Sequence, residues 1–208
     1  MRVPQWGRLC YVSRSVVHSI VPLAVLEAVK NLDTPVEDGL SEFADELLVK
    51  RLGLSPTVQM QLDDFEQMVR KDARVEDGHV EALLRLVGRR PDADLVFADA
   101  GRRAARRAVK RTSGVVRLFS HVAARRAARA VLGAELAWDH RMPVARVSDP
   151  IAIQATPDGS ACGFYGAGLV ELLRLLVGYE GAMVHVACRA RGESGCEWRA
   201  SAPDPRHQ

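Results

Sequence analysis

The chain has 208 residues and a formal net charge of +3, with 48% hydrophobic and 26% charged residues. This balance is that of a globular protein and excludes disordered, collagen-like and low-complexity classes. The longest apolar stretch, residues 21–26, is far shorter than the roughly 20 residues that span a bilayer, so we predict no membrane span. The first ten residues lack the apolar region of a signal peptide, so we expect a cytoplasmic protein with reduced cysteines.

Helical periodicity dominates residues 1–133. Apolar residues recur there at the spacing of a helix that buries one face. Ser55 followed by Pro56 is typical of a helix start, with serine as the N-cap and proline in the first turn. We therefore predict a mainly helical part with helices over residues 15–30, 35–52, 55–68, 78–87, 93–110 and 114–132.

Residues 134–201 have a different pattern. Apolar and polar residues alternate loosely over 137–147, and the pattern is typical of strands over 151–156, 182–188 and 196–201. Pro-Asp-Gly at 157–159 is a turn signal, and a leucine stripe predicts a helix over 161–177. Strands and helices do not alternate as parallel sheets require. The prediction is therefore a single α+β domain over 1–208, with an N-terminal helical layer on a C-terminal antiparallel sheet, one helix inserted before the last hairpin, and a flexible tail over 202–208.

Basic residues cluster between positions 101 and 130, where no acidic residue occurs. The pattern of arginines beside alanines favours the solvated face of amphipathic helices, paired with the acidic segment 33–66. An anionic ligand or partner is a second interpretation. Nucleic acid is disfavoured because no recognition helix or RNA-stacking motif accompanies the cluster. The ten residues are Arg102, Arg103, Arg106, Arg107, Lys110, Arg111, Arg117, Arg125, Arg126 and Arg129.

Cys162, His185, Cys188 and Cys196 form the pattern C-x22-H-x2-C-x7-C. Three thiolates and an imidazole are a standard closed set for structural zinc. Cys162 begins a predicted helix, whose dipole we expect to lower the pKa of its thiol. In an unbroken strand His185 and Cys188 point to opposite faces, so both can bind one ion only if the strand bulges or ends between them. A Cys188 to Cys196 disulfide and buried unliganded thiols are the alternatives.

These residues lie in two segments that resemble the end of the 4-vinyl reductase domain family. The segments are residues 159–173 (GSACGFYGAGLVELL) and 183–198 (MVHVACRARGESGCEW). That family is typed by a cysteine before a glycine-rich helix, a strand ending in E-x2-C, and a short turn followed by C-x-[FW]. Upstream, residues 17–26, 98–107 and 118–129 resemble the branch of this family that contains the J protein of bacteriochlorophyll synthesis.

The resemblance implies the fold shared by bacterial aromatic-sensor domains, TRAPP-complex subunits and haem-NO-binding domains. This fold is a helical layer on an antiparallel sheet, often dimeric, with a mostly apolar ligand cavity. In zinc-binding members the ligands stand where Cys162, Cys188 and Cys196 stand here. His185 replaces the usual glutamate, and imidazole is an equally good zinc ligand. The resemblance therefore implies one structural zinc ion with no coordination position open to substrate.

The sequence favours a binding module over an enzyme. It lacks a dinucleotide fingerprint, a flavin signature, a nucleophile elbow, a Walker loop and H-E-x-x-H. Aromatic residues and one histidine near the second half are candidates for contacts to a ligand, and ordinary core packing is the alternative for each of them. These candidates are Phe119, His121, Trp138, Phe164, Tyr165 and Trp198.

We therefore predict a zinc-stabilised domain that binds a hydrophobic, aromatic or tetrapyrrole-like small molecule as a sensor, carrier or accessory regulator. A homodimer is expected, and any signal would pass to a separate effector protein. Two alternatives remain. One is an enzyme or accessory protein of chlorophyll-type biosynthesis that acts as a 4-vinyl reductase, and the other is a dimeric interaction or scaffold protein of the TRAPP type.

Overall fold

The computed structural model describes residues 16–34, 55–112, 114, 119–148 and 150–201. Cys10, the helix predicted over 35–52 and the tail predicted over 202–208 lie outside these ranges, as do parts of the helix predicted over 114–132. The helices are α1 Ile20–Asp33, α2 Pro56–Arg70, α3 Asp77–Gly88, α4 Ala93–Arg111, α5 Ser120–Ala127, α6 Ile151–Ala155 and α7 Cys162–Val177. The strands are β1 Val16–His18, β2 Arg74–Glu76, β3 Glu135–Asp139, β4 Met142–Val147, β5 Ala182–Ala187 and β6 Cys196–Ser201.

α1 is the central helix of the helical layer. Its apolar residues from Ile20 to Val29 are almost completely buried, and it packs against α2 and α4. α2 begins as the sequence predicts, because the hydroxyl of Ser55 accepts a hydrogen bond from the backbone N–H of Val58 at 3.3 Å and Pro56 follows it. Within the described ranges, no helix combines the length and the apolar character that crossing a bilayer requires.

α4 and α7 cross at very short range. A Cβ atom added to Gly101 would lie 2.1 Å from the backbone oxygen of Phe164, and one added to Gly168 would lie 3.2 Å from the backbone oxygen of Gly101. A side chain at Gly101 would therefore force the two helices apart. This contact places α7 between the helical layer and the sheet.

The four-stranded sheet has the order β3-β4-β6-β5, and every neighbouring pair is antiparallel. α7 lies between β4 and β5 in the chain, so the predicted α+β class and the predicted helix before the last hairpin are confirmed, and the short α6 precedes α7 in the same interval. The alternating segment 137–147 belongs to a hairpin that turns at His140 and Arg141, both with positive φ. A separate ribbon of β1 and β2 was not predicted, because strands of three residues are too short to show a period.

The strand predicted over 151–156 is wrong, because residues Ile151–Ala155 form the short helix α6. A run of six residues carries too little periodicity to separate a strand from one helical turn. The turn is closed by Thr156, whose backbone N–H and hydroxyl both donate to the carbonyl of Ala152, at 2.8 and 2.7 Å. The helix predicted to end at Leu132 is also irregular, since α5 continues into a π-helical turn over Ala128–Leu132.

Candidate metal centre

The structure brings Cys162, His185, Cys188 and Cys196 together at the corner between α7 and the last hairpin. Their ligand atoms all lie within 4.8 Å of one another, and the sulfurs of Cys162 and Cys188 are 4.0 Å apart. Two sulfurs bound to one tetrahedral zinc ion at about 2.3 Å would be ~3.8 Å apart. The four side chains can therefore hold a metal ion.

An irregularity in β5 allows His185 and Cys188 to face the same point. His185 is opposite Trp198 and Ala187 is opposite Glu197, so Val186 is the extra residue of a β-bulge. The strand ends at Ala187, before Cys188. Both ways in which His185 and Cys188 could bind one ion are therefore present, because the strand bulges at Val186 and ends before Cys188.

The imidazole of His185 is oriented as in a metal ligand. It stacks on the indole of Trp198, with ring centroids 4.5 Å apart and planes at 7°. The ring hydrogen-bonds the backbone of Ala187, whereas its Nε2 atom is buried and has no hydrogen-bond partner among the described residues. Burial, and next the charge of Arg191, lower the pKa of His185, which favours the neutral ring that a metal requires.

The thiols differ from the expectation in one respect. Burial, followed by the proximity of Cys196 and Cys188, raises the pKa of Cys162, although the residue begins a helix. The expected lowering by the helix dipole is wrong, because the hairpin covers this helix end and desolvation outweighs the dipole. Burial also raises the pKa of Cys196. Without a cation these thiols keep their protons, and a bound cation would stabilise the thiolates.

Cys162, Cys188 and Cys196 are free thiols. The alternative of a disulfide between Cys188 and Cys196 is therefore wrong. Three thiols and an imidazole nitrogen without a hydrogen-bond partner among the described residues are buried together in one corner. Burying such polar groups costs free energy unless a common partner binds them. A cation in this corner would satisfy all four groups.

Two backbone features belong to the site, although the sequence did not assign them to it. Gly159, in the predicted Pro-Asp-Gly turn, has a φ of +83°, and a Cβ atom there would lie 3.6 Å from the sulfur of Cys188 and 3.8 Å from that of Cys162. The backbone N–H of Arg189 donates to the sulfur of Cys196 at 3.5 Å. The turn signal pointed to the first feature, whereas no sequence signal pointed to the second.

The candidate ligand contacts do not converge on one cavity. Phe164 and Tyr165, which follow Cys162 in the first turns of α7, are buried and line a cavity of about 330 Å³. Trp198 is buried against His185, and the side chain of Phe119 is 66% exposed.

His121 and Trp138 form a separate cluster. Their rings stack with centroids 4.3 Å apart, and the guanidinium of Arg125 lies 5.1 Å from the centre of the Trp138 ring. His121 is exposed and Trp138 is partly buried. This cluster is a surface stack beside β3.

Comparison of the chain with protein-family models, with curated proteins and with solved structures finds no match. The assignment of the site rests on its geometry and on the chemistry of its four side chains.

Proposed function

We propose that this chain is a zinc-stabilised domain that binds a small hydrophobic or aromatic molecule, as a sensor, carrier or accessory regulator similar to the 4-vinyl reductase domain family. The observation that carries the proposal is the convergence of Cys162, His185, Cys188 and Cys196 within 4.8 Å. The resemblance of the surrounding segments to that family adds the expectation of a ligand cavity.

The donor set favours zinc over other cations. Thiolate and imidazole ligands suit zinc, whereas magnesium and calcium require oxygen ligands, of which this group of four offers none. Four protein ligands complete a tetrahedron and leave no position for water or substrate. The role of the ion is therefore structural, and when bound it supplies a cross-link and neutralises the thiolates.

The site couples the last hairpin to the cavity. Cys162 begins α7, and the other three ligands lie in or beside β5 and β6. Phe164 and Tyr165, in the first turns of α7, line the cavity of about 330 Å³. An occupied site holds this end of α7 against the hairpin, so it also holds the cavity wall in place.

Elemental analysis of the purified protein tests the metal. We expect about one zinc per chain in the wild type and loss of most of it in Cys188→Ser, because three ligands bind zinc much more weakly than four. Replacement by cobalt should give the intense absorption bands of tetrahedral thiolate ligation.

Cys10→Ser is the matched control, because it removes a cysteine that is not one of the four proposed ligands. It should keep its zinc. A wild type without zinc after purification in the absence of chelators, or equal loss of zinc in both variants, contradicts the proposal.

Thermal shift with indole and 2-naphthol tests the cavity. A compound that binds only the folded state adds about 2.7 kcal/mol to the free energy of unfolding at a hundredfold excess over its dissociation constant, and it thereby raises the melting temperature. Phe164→Leu should weaken the response, whereas Phe97→Leu changes an equally buried aromatic residue outside the cavity lining and should not. Equal responses in all three proteins contradict binding at this cavity.

A further inference from the structure

The basic stretch of residues 101–130 divides into paired and unpaired groups. Most of its described arginines have a structural partner. The contacts are Arg103 with Asp99, Arg106 with Glu171, Arg107 with Glu27, Arg111 with Asp72, and Arg125 with the Trp138 ring. The acidic partners in these contacts lie outside the segment 33–66 that the sequence predicts as the partner of the cluster. Among the described residues, only the Arg107 to Glu66 contact, at 3.9 Å, joins the cluster to that segment.

Arg126 is different, because it lines a cavity of about 310 Å³ together with Arg74 and Arg111. The structure gives neither Arg74 nor Arg126 an acidic partner among the described residues. Asp72 is the one acidic residue in the described lining of this cavity. The cleft therefore carries an excess of positive charge.

The charge of Asp72 is already compensated. Its carboxylate accepts a hydrogen bond from Arg111 at 2.6 Å and lies 3.2 Å from Nε2 of His18. Nδ1 of His18 accepts a hydrogen bond from the backbone N–H of Ile20, so Nε2 carries the proton and donates to Asp72. These contacts engage Asp72 and Arg111, whereas Arg74 and Arg126 have no acidic partner among the described residues and can meet an external anion.

The rest of the lining consists of small side chains, which are apolar except for Thr112: Ala108, Thr112, Ala127, Ala130 and Val131. The cavity lined by Phe164 and Tyr165 is its neighbour, because the two share His18, Arg74, Ala130 and Val131 in their linings. A molecule with its charged group at the arginines therefore meets an apolar wall along the remainder of its length.

We infer that the cleft between Arg74 and Arg126 binds an organic anion, a carboxylate or phosphate group carried on a small apolar body. Guanidinium groups recognise both kinds of anion by charge-assisted hydrogen bonds, often in pairs. This inference rests on the proposed function and names the class of ligand for it.

Calorimetric titration at fixed ionic strength tests the inference with phenyl phosphate, inorganic phosphate and benzyl alcohol. Phenyl phosphate should bind most tightly, because it alone offers both the charge and the apolar body. Arg126→Gln and Arg74→Gln should each weaken it about tenfold, the usual worth of one hydrogen bond to a charged group. Arg102→Gln is the matched control, since Arg102 is an exposed arginine of α4 outside the cavity lining.

The inference is overturned if phenyl phosphate does not bind, if benzyl alcohol or inorganic phosphate binds as tightly, or if Arg102→Gln weakens binding as much as Arg126→Gln. Zinc content and the response to 2-naphthol, measured on the same samples, separate this result from the proposed function. Zinc and a 2-naphthol response without phenyl phosphate binding contradict the anion site alone. Phenyl phosphate binding that depends on Arg126, in protein without zinc, contradicts the zinc proposal alone.

Discussion

The crossing of α4 with α7 and the corner between α7 and the last hairpin hold the same helix by different means. At the crossing, Gly101 and Gly168 let the two backbones approach each other closely, and the side chains buried around them are apolar. At the corner, α7 begins with a buried thiol beside two others and beside an imidazole nitrogen without a partner.

The difference shows where the stability of the fold is conditional. Packing at the crossing depends only on the fit between the two helices, so it is present whenever the chain is folded. The corner contains groups that burial penalises unless a cation joins them. We therefore expect one part of the molecule to respond to metal and the other to be indifferent to it.

Removal of the metal should give the largest effect. A chelator should raise amide hydrogen exchange in β5, β6 and the first turn of α7 by about a thousandfold, because a ligand at a thousandfold excess over its dissociation constant contributes about 4 kcal/mol. Amides of α1 should keep most of their protection. Hydrogen exchange read by mass spectrometry measures both regions in one sample, and a uniform loss over the whole chain would remove the distinction.

Gly101→Ala should disrupt the crossing. The added Cβ atom would lie 2.1 Å from the backbone oxygen of Phe164, so the helices must separate, at a cost of about 3 kcal/mol or more. Gly163→Ala is the control, because a Cβ atom there meets nothing within 4 Å. It should be neutral or stabilise α7 by about 0.5–1 kcal/mol. Urea unfolding measures both, and equal stabilities would contradict the close approach.

Acid should weaken the link between α4 and α7 at Glu171. Hydrogen bonds from Arg174, and next from Arg106, hold the pKa of this buried carboxyl below its usual 4.5. The unfolded chain then binds the proton at higher pH than the folded chain, so the free energy of unfolding falls as the pH drops below about 4.5. Glu171→Gln should reduce this slope in urea titrations at several pH values, and an unchanged slope would contradict the role of this carboxyl.

His121→Ala should have the smallest effect. The residue lies in the surface stack on Trp138, and aromatic pairs contribute about 0.5–1.5 kcal/mol beyond area burial, less where both rings meet water. We expect a loss below about 1 kcal/mol in urea unfolding, with zinc content unchanged. A large loss would place this stack inside the cooperative core.

Much of the helical layer was predictable because its helices are long and bury one face. The 19-residue α4 carries several turns of apolar periodicity, as does the 16-residue α7 beside the layer, and the predicted bounds of both helices differ little from the observed ones. α6 and the β1–β2 ribbon were not predictable, since three to five residues carry no period and their conformation is set by tertiary contacts.

The candidate site was predictable in composition but not in geometry. Cysteine and histidine spacing, together with the family resemblance, identified all four residues that the structure brings together. The bulge at Val186 and the burial that raises the pKa of Cys162 depend on how the hairpin folds over α7. Such effects arise from strand pairing and desolvation, which spacing along a chain does not encode.

The position of the four ligands also has a consequence for the order of assembly. All of them lie between Cys162 and Cys196. Cys162 and Cys188, whose sulfurs are 4.0 Å apart, are separated by 26 residues, whereas the His18 to Asp72 contact joins residues 54 apart. The loop that a bound ion would close is therefore short, and closing it costs little chain entropy. During synthesis these ligands follow all the described helices of the helical layer. Capture of a metal ion at this site would thus be a local event that completes late, after the surface against which α7 packs has formed.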